Sequence, residues 1–205
     1  MRVHFTTRSP IGPTHPDIAA AVEHAAGVLS RLGHHVEEAT LPPLTLESFL
    51  PLWQHLISSN PLVRWHRAQP ITRWLADAGR ALRPRDVRAT EDALLALLRP
   101  CLDGPDIWLT PTVAQPPPPV GAFEGDPEEG FRRAAELGAF TAGFNVTGQP
   151  AASVPLGLTR EGLPMGLQVG GRLYAEGDVL AVCRQLEGAL PWRDRVAPSA
   201  AAASD

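Results

Sequence analysis

Two runs decide the fold: Phe144-Asn-Val-Thr-Gly-Gln-Pro-Ala-Ala-Ser-Val-Pro-Leu-Gly157 and Gly162-Leu-Pro-Met-Gly-Leu-Gln-Val-Gly-Gly-Arg172. Apolar residues alternate in both, which predicts two strands with one buried face each. The alternating residues are Val154, Leu156 and Leu158 in the first strand, and Met165, Leu167 and Val169 in the second. Glycine and proline between the runs predict a turn. Residues 174–190, before Trp192, place apolar side chains three and four positions apart and predict an amphipathic helix.

The N-terminal part is predicted to be a strand, a helix and a second extended segment. Residues 2–7 alternate as a strand does, and a helix is predicted from Asp17 to Leu32, where Gly33 ends it. Another extended segment follows around Val36. A strand, helix and strand in this order predict a βαβ-like unit on a parallel or mixed sheet. The fold class predicted is therefore α/β, a mixed sheet flanked by helices.

The middle of the chain is predicted to be helical and interrupted. Prolines recur through residues 41–100 and are expected to cut this region into short helices, because each lacks a backbone donor. Its most regular helix is predicted over residues 85–98. A strand is expected over residues 107–110, and a further helix over residues 127–142. Trp53, like the other tryptophans of this region, suits core packing or a pocket wall.

Composition excludes several classes of function. The net charge is −4 and no block of like charges occurs, so neither nucleic acid nor a membrane surface is expected as a partner. With 44% hydrophobic residues, the chain can bury a core. The two cysteines predict a reducing, cytoplasmic setting and not a disulfide framework. We expect one folded unit over residues 1–196 and a disordered tail over residues 197–205.

The two opening runs resemble the C-terminal half of the amidase signature family, which hydrolyses carboxamide bonds. The matching pattern is Phe-Asn-x-Thr-Gly-x-Pro-Ala at 144–151, Gly-Leu-Pro-x-Gly-x-Gln at 162–168, and Pro191-Trp192. Residues 106–112 and the segment 32–38 after the first helix fit as well. The resemblance implies that this chain corresponds to the C-terminal half of such a domain.

The chemistry that the resemblance implies is missing from this chain. The family uses a serine activated through a second serine and a lysine, within a Gly/Ser-rich loop. All 18 basic residues here are arginine, and Ser58-Ser59 is the only serine pair. Arginine cannot replace the lysine, because the guanidinium group is not deprotonated at useful pH. No catalytic residue is therefore assigned, and neither a metal site nor a cofactor is expected. A triad of Ser, His and Asp is not excluded by counting alone.

Five residues are candidates for a substrate pocket. The resemblance places the turn around Gln149 next to the reaction centre, so Asn145 and Gln149 are expected either to border the pocket or to fix the turn. Thr110 and Thr112 follow from the matching segment at 106–112, and Trp53 from the variable helical region that forms one wall of the cleft in the family.

Two classes of function remain open from the sequence. The first is an amidase-family chain that is inactive alone, either a fragment or one piece of a split enzyme that acts on a small amide once completed. Its partner would be an N-terminal amidase half, expected to dock on the sheet edge near Ala151–Val169, or a second copy of the chain. The second class is a non-catalytic binding module that keeps the fold without the chemistry.

Overall fold

The computed structural model describes residues 1–61, 65–190 and 192. Apart from a short 3₁₀ helix at Trp65–Arg67, its elements are β1 (Arg2–Phe5), α1 (Pro16–Arg31), β2 (His35–Glu38), α2 (Leu46–Ser58), α3 (Pro70–Arg80), α4 (Pro84–Leu102), β3 (Ile107–Pro111), α5 (Pro127–Leu137), α6 (Ala142–Thr147), β4 (Ala151–Leu158), β5 (Pro164–Gly171) and α7 (Glu176–Ala189). The predicted tail at 197–205 and Pro191 lie outside the described residues.

The strands form one mixed sheet of five strands in the order β2-β1-β3-β5-β4. β1 pairs in parallel with β2 and β3, whereas β5 pairs antiparallel with β3 and β4. The predicted α/β fold with a mixed sheet is confirmed, and so is the parallel strand, helix and strand unit at the N-terminus. Within the described part of the chain, β5 lies inside the sheet, so on this side β4 is the edge strand that is open to docking.

Helices cover both faces of the sheet. α1 and α7 pack on one face, where Leu109, Leu167 and Val169 meet Val22 and Val182 in a buried cluster. α4 and α6 cover the other face, where Trp108 packs with Leu98 and Phe144. Residues that alternate along β5 therefore face different helices, as period-two strands require.

Asp106, just before β3, ties the N-terminus to the end of β5. Its carboxylate accepts the Arg2 backbone N–H at 2.8 Å and lies 3.2 Å from the Arg172 guanidinium. The Arg2 hydrogen bond, with the nearby positive charges, lowers the pKa of Asp106. This contact closes the sheet at one end of β1 and β3.

Several sequence predictions are wrong in detail. Pro51 and Pro100 lie inside α2 and α4 and do not interrupt them. The helix predicted over 127–142 ends at Leu137, and a new helix begins at Ala142. Leu158 is 57% exposed because the register shifts between Pro155 and Gly157, which changes the side to which the strand's last residue points.

No helix in the described ranges is long and apolar enough to cross a membrane.

Candidate functional site

A cavity of about 410 Å³ lies between α2, α3 and the segment that joins α5 to α6. This volume falls within the range of about 300–1,000 Å³ that is usual for small-molecule sites. Its walls are Ile11, Leu46, Phe49, Trp53, Ile57, Ile71, Thr72, Leu75, Phe131, Ala134, Ala135, Gly138, Ala139, Thr141, Ala142 and Asn145. The cavity is therefore mostly apolar, as sites for organic ligands are.

Helical periodicity places these residues on the cavity wall. The α2 residues Leu46, Phe49, Trp53 and Ile57 recur at spacings of three and four and share one helical face. Phe49 and Trp53 also stack on each other, with ring centroids 5.6 Å apart. Thr45 starts α2 with a capping box to Ser48, which fixes where that face begins. α2 thus presents an aromatic and aliphatic wall to the cavity.

The opposite wall consists of small residues. α5 ends at Leu137 and the chain turns through Gly138 into α6, so the alanines and glycine of this corner line the space without filling it. Thr141 closes the corner, since its hydroxyl donates to the Gly138 carbonyl at 3.0 Å. The cavity exists because this wall lacks large side chains.

Among the residues that the structure describes, no charged side chain lines the cavity. Two charges that adjoin lining residues on α2 and α5 pair with each other: Arg132 Nη1 lies 3.3 Å from the Glu47 carboxylate. A backbone hydrogen bond, followed by the hydrogen bond from Arg132, lowers the pKa of Glu47. The polar groups left on the wall are Thr72, Thr141 and Asn145. Asn145 is exposed, and its side chain makes no hydrogen bond to the described residues.

A buried glutamine supports the small-residue wall from behind. Gln168 on β5 is 4% exposed, and its Nε2 donates to Thr110 Oγ1 at 3.0 Å and to the Phe140 carbonyl at 3.3 Å. Phe140 follows Ala139, which lines the cavity. Thr110 is fully buried and acts through this bond, so the sheet and the cavity wall are joined by one amide group.

Thr112 and Ser153 lie further along the same face of the sheet. Their hydroxyl oxygens are 2.7 Å apart, across Gly166 on the strand between them. A Cβ atom on Gly166 would lie 2.9 Å from Thr112 Oγ1 and 3.1 Å from Ser153 Oγ, so only glycine leaves this pair undisturbed. No histidine or carboxylate is bonded to Ser153 in the described residues.

Gln149 is held inside the fold. Its Oε1 accepts from Thr147 Oγ1 at 2.8 Å, and its Nε2 donates to Asp103 Oδ1 at 3.0 Å and to the Gly171 carbonyl at 3.2 Å. The side chain is 7% exposed. These three bonds join the end of α6 to α4 and to the end of β5.

Of the five predicted pocket residues, Trp53 and Asn145 line the cavity together. Thr110 stands behind the wall, whereas Thr112 and Gln149 are not among the lining residues. Sequence reasoning missed Phe49, Ala135 and Gln168. The spacing of Leu46, Phe49, Trp53 and Ile57 marks their common face, but nothing in it shows that this face borders a cavity.

Neither metal nor thiol chemistry is indicated in the described ranges. They contain no group of three or more histidine, cysteine or acidic side chains arranged to hold a metal ion. Cys101 and Cys183 are both unpaired, and burial raises the pKa of both thiols. A raised pKa keeps a thiol protonated and a poor nucleophile.

Comparison with known proteins shows the family. The family described as Amidase matches residues 65–180. The chain is 32% identical to the 6-aminohexanoate-cyclic-dimer hydrolase of Pseudomonas sp., over 94% of this chain and 44% of that protein. It is 33% identical to the putative amidase AmiB2 of Mycobacterium tuberculosis, over 86% of this chain and 40% of that protein.

Solved structures agree with the sequence matches. The structure of 6-aminohexanoate cyclic dimer hydrolase complexed with substrate superposes with a TM-score of 0.77 at 29% identity, covering 94% of this chain and 45% of that one. The chain thus spans less than half the length of these relatives. The sequence belongs to the amidase signature family.

Proposed function

We propose that this chain forms the substrate-binding wall of an amide hydrolase whose nucleophile segment is supplied from outside this sequence. The observation that carries the proposal is the apolar cavity that Trp53 and Asn145 line together. Family membership and a span of 44–45% of the relatives support the same reading. The unpaired cysteines support a reducing, cytoplasmic setting.

The division of labour follows from the side chains available. Amide hydrolysis needs an activated nucleophile, a base and donors for the oxyanion. This chain has no lysine, and its serine pair Ser58-Ser59 ends α2 with Ser58 donating to the His55 carbonyl. What it offers is a binding surface, with the Asn145 carboxamide at its rim. Binding and chemistry would thus come from different segments.

The edges of the sheet indicate where the missing segment would pair. β2, at one edge, has the sequence His-Val-Glu-Glu, and charged edge strands resist pairing. β4, at the other edge, spans Ala151–Leu158 without a charged residue, and no strand covers its outer side in the described part of the chain. Pro155 lacks a donor, so pairing would be confined to Ala151–Val154. We propose that the nucleophile segment pairs there.

The test is complementation. The chain is produced alone and together with the segment of a related amidase that contains its lysine and serines, and hexanamide hydrolysis is measured. We expect no turnover above buffer for the chain alone and measurable turnover for the pair. Turnover by the chain alone that Ser153→Ala abolishes would overturn the proposal.

One control and one further outcome complete this test. A lysine-to-alanine variant of the added segment should abolish the turnover of the pair, since the base would be lost. Formation of a stable complex without turnover would overturn the catalytic role and favour the binding module.

A further inference from the structure

We propose that the cavity between α2, α3 and the α5–α6 corner takes the hydrocarbon part of a neutral amide, with the carboxamide end directed to Asn145. This inference rests on the proposed function and names the class of substrate. The cavity is expected to bind uncharged aliphatic or alicyclic amides in preference to amides that carry an ammonium or carboxylate group at the end distant from the carboxamide.

The charge of the ligand follows from the wall. Thirteen of the sixteen lining residues are apolar or glycine, and none is charged. The neighbouring charges Arg132 and Glu47 already pair at 3.3 Å. A charged group brought into this space would lose its hydration without gaining an oppositely charged partner among the described lining residues, which is strongly unfavourable. We therefore expect that only an uncharged end of the ligand binds favourably in the cavity.

The orientation of the ligand in the cavity follows from the carboxamide of Asn145. Asn145 is exposed and unbonded within the described residues, whereas the Thr141 hydroxyl already donates to Gly138. The Asn145 side chain offers both a donor and an acceptor, which complements a carboxamide. A ligand with its amide at Asn145 and its carbon chain between Trp53 and Ala135 satisfies both parts of the site.

The experiment measures binding of simple amides to the full 205-residue chain, without any added segment. Butanamide, pentanamide and hexanamide are titrated while the tryptophan indole N–H signals are followed by NMR. The Trp53 signal is identified by its loss in Trp53→Phe. We expect the Trp53 signal to move and the Trp108 signal to stay, because the Trp108 indole is buried and donates to the Cys101 carbonyl at 3.3 Å.

The expected affinities depend on the length of the carbon chain and on the charge of the amide. Each added methylene should tighten binding about fourfold until the cavity is filled. The ω-amino and ω-carboxy derivatives of hexanamide should bind at least about tenfold more weakly than hexanamide, because their charge is unpaired in the cavity. Equal or tighter binding of either charged derivative, or affinity independent of chain length, would overturn the proposal.

Substitutions inside and outside the cavity test where the ligand binds. Ala135→Phe fills the cavity and should weaken hexanamide binding at least about tenfold, whereas Ala181→Phe, on the exposed face of α7, should leave it unchanged. Circular dichroism verifies the fold of each variant, and Ala135→Val replaces Ala135→Phe if the latter does not fold. Unchanged binding in a folded Ala135 variant would place the ligand elsewhere and overturn the inference.

Failure here and failure of the proposed function are distinguishable. Binding is read without catalysis, so selective binding of neutral amides can hold while complementation fails. Conversely, if the complemented pair prefers the charged derivatives, amide hydrolysis stands and only the proposed preference for neutral amides is contradicted.

Discussion

At the residue scale, two buried glutamines carry the connections between layers. Gln168 joins β5 to the cavity wall through Thr110 and Phe140, and Gln149 joins α6 to Asp103 and Gly171. The motif marks both glutamines in the sequence. Their roles could not be read there, because Asp103 is 46 positions from Gln149 and only the folded chain brings the two together.

Replacing Gln149 by leucine should destabilise the fold through lost hydrogen bonds, without creating a cavity. Asp103 and the Gly171 carbonyl each lose the Gln149 donor, whereas the Thr147 hydroxyl keeps its bond to the Gly143 carbonyl at 3.0 Å. The loss of hydrogen-bond partners at buried groups costs about 1–3 kcal/mol. Urea unfolding followed by circular dichroism measures this change in the free energy of unfolding.

The matched control is Gln69→Leu. Gln69 is exposed at the start of α3, and its side chain does not cap that helix. We expect a change within about 0.5 kcal/mol, as is usual for surface substitutions. Equal effects of the two substitutions would show that the Gln149 bonds add nothing to stability.

At the scale of elements, alternation along the strands is the property that the sequence predicts best. Leu167 and Val169 are fully buried against α1 and α7, as their spacing predicts. Leu158 departs from the pattern because Gly157, at φ 136°, takes part in a local irregularity of β4. Such an irregularity depends on how two strands meet, which the spacing of apolar residues does not encode.

Glycines on β5 set how closely the helices approach the sheet. A Cβ atom on Gly170 would overlap the ring of Phe144 on α6. Gly170→Ala should therefore lower the free energy of unfolding by about 1–3 kcal/mol, because a well-packed core does not accept added volume. Thermal and urea unfolding both report this loss.

Gly27→Ala is the corresponding control in a helix. Gly27 lies inside α1, and its added Cβ would meet only the Arg31 side chain, at an ordinary 3.5 Å. Alanine there should raise the free energy of unfolding by about 0.5–1 kcal/mol, since glycine is unfavourable inside helices. A Gly170→Ala protein as stable as the parent would show that α6 does not pack on β5 as described.

At the scale of the whole molecule, the two edges of the sheet differ in kind. β2 is short and charged, whereas β4 is longer and uncharged, ends at the exposed Leu158 and is followed by the exposed Leu163. An uncharged edge strand is a template for pairing with another chain. The sequence predicts a docking edge in this region, but it does not separate β4 from β5, because their places in the sheet depend on pairing across the chain.

This asymmetry predicts that the chain without a partner associates through β4. A permanent partner would bury upwards of about 2,000 Å², so its absence leaves both edge backbone groups and apolar side chains in water. Ala151→Asp places a charge within the stretch Ala151–Val154 that is free to pair, at a side chain that is exposed. We expect concentration-dependent association, measured by sedimentation velocity, to weaken about tenfold in this variant. Ala181→Asp makes the same change at an exposed side chain on α7, and association should persist there. Association that survives Ala151→Asp, or that is lost equally in Ala181→Asp, would mean that general surface properties, and not the β4 edge, bring the chains together.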